Sequence, residues 1–124
     1  MSDQLPNITP ETFRQLSTLR SEPKFHKAWK RFYPGAPTEE IRLSTQRTVD
    51  DMLDRLQAGL QATPRKSYVL GEFLEMLKGF EHADTEEREE ACTYCERVMK
   101  IVGIQSSDGL LNAWLYRLGP EQRS

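Results

Sequence analysis

The sequence has almost no strand signals, so a sheet is not expected and the fold has to be built from helices. It also lacks any uncharged apolar run near the ~18 residues that a membrane span needs. Its opening, Met1-Ser2-Asp3-Gln4-Leu5-Pro6-Asn7, has no basic start followed by an apolar stretch. The expectation is a soluble, cytoplasmic protein that does not engage a membrane. A basic excess is missing too: 17 Lys and Arg stand against 19 Asp and Glu, giving a formal charge of -2 and a pI near 5.7. That balance argues against bulk attraction to nucleic acid or anionic lipid. Cysteine is limited to Cys92 and Cys95 and histidine to His26 and His82, too few for a disulfide framework or a finger-type zinc site. There is no fixed-period repeat, low-complexity tract or long linker.

What is present is helix punctuation. The 124 residues suit one domain, 37% hydrophobic and 29% charged, with loose ends expected near residues 1–7 and 120–124. Thr9-Pro10 reads as a cap followed by a proline at the first helical position, with Ile8 and Phe13 as a hydrophobic staple and Leu16 and Leu19 on the buried side. Phe25, Ala28, Trp29 and Phe32 follow at helical spacing, which predicts a second helix that Tyr33-Pro34-Gly35-Ala36-Pro37 stops. Thr38 opens a long segment with Glu39 and Glu40 in its first turn; Ile41, Val49, Met52, Leu53, Leu56 and Leu60 carry its apolar face, and a break near Ser44 is open. Thr63-Pro64 repeats the cap signature ahead of Val69, Phe73 and Leu77. Asp84 and Glu87 read as a capping box, with Gly103 closing that helix. Ser106 or Ser107 starts the last helix, which bears Leu110, Leu111, Trp114 and Leu118. The expected fold is a single all-α bundle of about six helices.

Cys92 and Cys95 have the outline of a redox or metal motif. They sit about two turns inside a helix, where Ala91, Cys95, Val98 and Met99 gather on one side at about 100° per residue. A reactive thiol pair needs a helix N-terminus to lower its pKa, so these two read as core residues. Asp50, Asp51 and Asp54 spell D-D-x-x-D, Glu72 and Glu75 spell E-x-x-E, and Glu86, Glu87, Glu89 and Glu90 add overlapping pairs. Carboxylates at such spacing can hold a magnesium ion that bridges phosphates. The arrangement resembles all-helical nucleoside triphosphate pyrophosphohydrolases. Against that, Asp50, Asp54, Glu72 and Glu75 point away from the apolar stripes of their helices and read as solvated faces. No metal or cofactor is expected, and the protein is not read as an enzyme.

Lys24, Lys27, Lys30 and Arg31 alternate with Phe25, Trp29 and Phe32, which reads as an amphipathic helix with aromatics inward and bases outward, not as a nucleic-acid surface. From Glu81 to Arg97 there are seven acidic and two basic residues. Two or three of the acids complement the dipole at the helix start. The surplus could dock on a basic cleft and orient a partner, which makes Asp84, Glu86, Glu87, Glu89 and Glu90 the candidate partner-binding residues. Arg65 and Lys66 oppose the dipole at the start of their helix, and local stability does not explain them.

The closing third contains D-T-E-E-R-E at Asp84–Glu89 and G-I-Q-S-S-D-G-L-L-N-A-W-L-Y at Gly103–Tyr116. This pattern resembles a bacterial family of short helical proteins catalogued as a domain of unknown function. The match covers about 35 residues, hardly touches the first 60, and ends in Tyr116-Arg117-Leu118 where the pattern has Y-G-F. The resemblance implies an all-α fold and transfers no catalytic residue. Small stand-alone bacterial proteins of this kind often look like immunity proteins. The leading expectation is therefore a cytoplasmic protein-binding module that neutralises a cognate toxin by occluding a basic active-site cleft. The rivals are a magnesium-dependent nucleotide hydrolase using Glu72, Glu75, Glu86 and Glu89, and a structural homodimer.

Overall fold

Proline and threonine start the first helix where the sequence expects it. In the computed structural model, which describes residues 3–28 and 32–117, α1 spans Pro10–Ser21. Pro10 occupies the first turn, where its missing N–H costs nothing, and the Thr12 hydroxyl accepts the Thr9 N–H at 3.0 Å. Leu16 and Leu19 are fully buried, and Ile8 and Phe13 pack partly buried against the core.

The long second helix, α2, spans Glu39–Gly59 without a break at Ser44. Thr38 Oγ1 accepts the Ile41 N–H at 3.1 Å, and Glu39 and Glu40 lie in the first turn, where the helix dipole favours negative charge. Val49, Met52, Leu53, Leu56 and Leu60 are completely buried, whereas Ile41 lies on the exposed side. This stripe makes α2 the centre of the bundle, packed on α1, on α3 (Lys66–Leu77) and on α4 (Thr85–Val102). A 3-10 turn, Lys78–Phe80, follows α3, and α5 (Leu110–Arg117) packs on α4. Gly103 closes α4 at φ 87°, a left-handed conformation that glycine adopts without steric cost.

The described residues form five helices and no β-strand, so the fold is all-α with one helix fewer than the roughly six expected. The missing helix is the one predicted over Phe25–Phe32. Phe25 and Phe32 both have left-handed backbones, φ 63° and 57°, which no α-helix contains. Ala28 and Tyr33 exchange N–H···O bonds of 3.0 and 3.1 Å, and the Ala36 N–H reaches the Phe25 carbonyl at 3.1 Å, pairings that a helix over Phe25–Phe32 would not make. Phe25 is buried against Phe80 (5.7 Å between ring centroids), Tyr94 (5.3 Å) and Tyr33 (6.4 Å). Trp29, Lys30 and Arg31, the rest of that predicted stripe, lie outside the described residues.

Lys24 was expected to point outward and is instead fully enclosed. Its Nζ donates to the carbonyls of Leu19 (2.7 Å), Glu22 (2.9 Å) and Arg20 (3.2 Å) at the end of α1, where helix carbonyls run out of intrahelical partners, and lies 2.6 Å from Asp50 Oδ1.

Of residues 1–7, expected to be loose, residues 1–2 lie outside the described residues, and residues 3–5 make hydrogen bonds and core contacts. Leu5 is buried and its N–H bonds the Pro64 carbonyl at 2.7 Å, while the Lys66 N–H bonds the Asp3 carbonyl at 2.7 Å. The Asp3 carboxylate accepts from the Ser67 N–H at 2.8 Å and from the Ser67 hydroxyl. Asp3 thereby supplies the negative charge that the start of α3 lacks, in place of the Thr63 cap expected from sequence. Those two hydrogen bonds, with Arg65 and Lys66 nearby, hold its carboxyl below the usual range despite partial desolvation. Lys66 Nζ in turn pairs with Asp108 at 2.8 Å, which accounts for a base in that first turn. Residues 120–124, also expected to be loose, lie outside the described residues.

Candidate functional site

The acidic edge of α4 and the loop above it form one surface. Asp84 flanks the start of α4, and the expected capping box does not form. Glu87 turns inward instead and accepts a 2.7 Å hydrogen bond from the buried Tyr33 hydroxyl. Glu87 and Glu90 are only 2% and 3% exposed, so neither can belong to a solvent-facing acidic surface. Asp84, Glu86 and Glu89 remain exposed. The reason lies in helix geometry: Glu87, Ala91, Tyr94 and Val98 recur at spacings of four, three and four, which puts them on one buried side.

Burial raises the Glu87 carboxyl above its ordinary pKa, and the neighbouring Asp84 and Glu86 charges add to the rise, while the Tyr33 hydrogen bond opposes it. The Tyr33 hydroxyl is pushed far up by its own burial and by Glu87, so it is a permanent donor.

Glu86, Glu89, Glu90 and Thr93 from α4 face Phe32, Tyr33 and Pro34 from the loop across a shallow cleft of about 120 Å³. Phe32, predicted to face inward, is 91% exposed. Among the described residues neither Glu86 nor Glu89 has a basic partner, whereas most acids elsewhere are paired: Glu11 with Arg14, Glu39 with Arg42, Glu75 with Lys78, Glu22 with Arg97.

The other carboxylate motifs are taken up by the fold. Asp50, expected to be solvated, is buried between Lys24 and Arg20, and Asp54 receives Arg20 Nε at 2.8 Å. Glu72 holds Arg55 at 2.6 Å. Among the described residues no group of three or more His, Cys, Asp or Glu side chains is placed to share an ion, and Glu72 and Glu75 are not brought together with Glu86 and Glu89. Cys92 and Cys95 are free thiols in the core. Burial pushes Cys92 up to about 12, with the Glu96 and Glu89 charges adding to it, and Cys95 well above its ordinary value. A larger groove of about 580 Å³, between Leu5, Pro10, Phe13 and Pro64, has no ionisable side chain in its lining.

Residues 7–119 match the family model of a domain of unknown function, DUF4844. The chain belongs to this family. The DUF4844 match takes in α1 to α5, well beyond the closing third whose motifs resembled such a family. A crystal structure of a DUF3571 family protein from Acinetobacter baumannii is similar to it, with 28% identity over 85% of this chain and 88% of that one, at a TM-score of 0.75. No curated protein matches the DUF4844 chain. Among the described residues no helix is long and apolar enough to cross a membrane.

Proposed function

We propose that this DUF4844 protein is a cytoplasmic binding protein, an immunity protein that neutralises a cognate bacterial toxin by covering its active site. The observation that carries the reading is the concentration of uncompensated negative charge on one side. Glu81, Asp84, Glu86, Glu89 and Glu96 are exposed and, among the described residues, without a basic partner. Such a surface complements a cleft that handles phosphates, nucleotides or nucleic acid, where the partner must itself be basic. Opposite charge speeds encounter and sets orientation more than it adds affinity. Asp84, Glu86 and Glu89 are the contact residues this reading retains; Glu87 and Glu90 support the surface from beneath.

Co-expression with the product of the adjacent reading frame tests it. That product alone should arrest growth of the host, and this chain should restore growth and co-purify with it in a one-to-one complex. Arrest that continues in its presence, with no complex recovered, removes the reading.

A further inference from the structure

A phenylalanine that is 91% exposed invites a search for what covers it. Among the described residues the other large apolar side chains that reach solvent, Leu74, Leu43, Ile41 and Tyr116, are between 38% and 59% exposed. Phe32 directly precedes an anchored residue, Tyr33. On one side Phe25 is locked in the core, its N–H donating to the Tyr94 hydroxyl at 3.2 Å, and Lys24 is anchored in the end of α1. On the other side Tyr33 is buried with its hydroxyl on Glu87 at 2.7 Å. The Ala28–Tyr33 pair and the Ala36–Phe25 hydrogen bond close the backbone between these anchors. The core therefore fixes Tyr33, next to Phe32, and leaves the Phe32 ring outside, beside Glu86 and Glu89, which among the described residues have no basic partner.

We propose that Phe32 is the anchor of a protein-docking surface, received by an apolar pocket of the partner whose rim carries Lys or Arg side chains that meet Glu86 and Glu89. This rests on the binding function proposed above and deepens it by naming the contact. A phenylalanine has only two side-chain torsions to lose on docking, and its neighbour Tyr33 is already anchored on Glu87, so the contact area comes at a low cost in freedom. The carboxylates that share the cleft with Phe32 select the occupant; its chain neighbours Lys30 and Arg31 lie outside the described residues. An anionic bilayer or a nucleic acid would be repelled. A second copy of this chain, docked through the same face, would set Glu86 and Glu89 against their own equivalents. A basic protein surface meets both requirements at once.

The test is calorimetric titration of the full chain with the purified, catalytically inactivated product of the adjacent reading frame. Phe32→Ala should weaken binding by about tenfold or more, with an unchanged circular dichroism spectrum and melting temperature, because the ring supports nothing in the fold. The Glu86→Gln/Glu89→Gln double variant should slow association and flatten its dependence on salt, and Leu74→Ala, on another face, should bind as wild type does. If wild type binds and Phe32→Ala binds equally well, the anchor is overturned while the binding function stands. If wild type does not bind, both fall. A dimer in sedimentation, or adsorption to phosphatidylserine vesicles, that is lost in Phe32→Ala would give the ring a different occupant and overturn the proposal.

Discussion

Lys24 Nζ lies 2.6 Å from Asp50 Oδ1 in a place where the lysine is completely enclosed and the aspartate nearly so. The same ammonium satisfies the last carbonyls of α1, so one side chain closes a helix, neutralises a buried carboxylate on α2 and starts the loop that carries Phe32. Removing one member of a buried pair costs up to about 3–5 kcal/mol, and here the partner left behind keeps part of its compensation, Asp50 from Arg20 at 3.3 Å and Lys24 from the carbonyls that end α1. Lys24→Met and Asp50→Leu should each lower the urea midpoint accordingly, and Lys24→Met/Asp50→Leu should be less damaging than the sum of the two. Additive losses in the double-mutant cycle would show that the two groups are not coupled.

Gly59 is required by Tyr68. A Cβ at position 59 would fall 2.2 Å from the Tyr68 hydroxyl oxygen, which is held by a 2.9 Å bond to the Arg55 carbonyl. Gly59→Ala should therefore destabilise by about 1–3 kcal/mol through overpacking, although the position is helical and alanine is the better helix former. In a Tyr68→Ala background the same change should be neutral or stabilising. An unchanged melting temperature for Gly59→Ala alone would contradict the contact.

The buried Glu87 gives stability a dependence on pH with a defined sign. Its folded-state pKa is raised, chiefly by burial, so the folded state holds the proton more tightly than the unfolded chain does. Its contribution to stability is greatest at low pH and falls as pH rises from the ordinary carboxyl value through the raised one. Glu87→Gln removes that loss, so the variant should gain on wild type across the window and run parallel to it above. Urea titrations from about pH 4 to about pH 8 measure this. A variant that loses ground to wild type as pH rises would reverse the assigned sign.

Both thiols should be inert in the native state. With Cys92 pushed up to about 12 and Cys95 sealed in the core, Ellman's reagent at neutral pH should react slowly, then rapidly with two equivalents once urea unfolds the chain. Immediate reaction of the folded protein would restore the case for a redox pair.

Local chemistry was legible from sequence where it decided the outcome. Thr38, Pro10 and Gly103 mark helix ends that the structure keeps, and Leu16, Leu19, Met52, Leu53 and Leu56 are buried at the spacing that predicts it. The predicted second helix failed because Phe25 and Phe32 mimic a helical stripe, while what fixes the segment is distant in sequence: Asp50, Tyr94 and Glu87. Prolines at 23, 34 and 37 crowd the ends of that segment and were the available warning. Asp3 capping α3 from the far end of the chain left no local trace at all, which is why Arg65 and Lys66 looked anomalous. Glu87 could have been read as buried from its register with Ala91, Tyr94 and Val98. Phe32 could not, because its exposure follows from the loop.

The proposed function rests on an exposed ring and the charges beside it, and amide mapping reports on that most directly. Titrating the isotope-labelled chain with the inactivated product of the adjacent reading frame should move the resonances of Phe32, Tyr33, Glu86, Glu89 and Thr93 and leave the far side still. Shifts centred instead on Leu74 and Trp114, or on the groove beside Leu5 and Phe13, would place the working surface elsewhere and contradict the assignment.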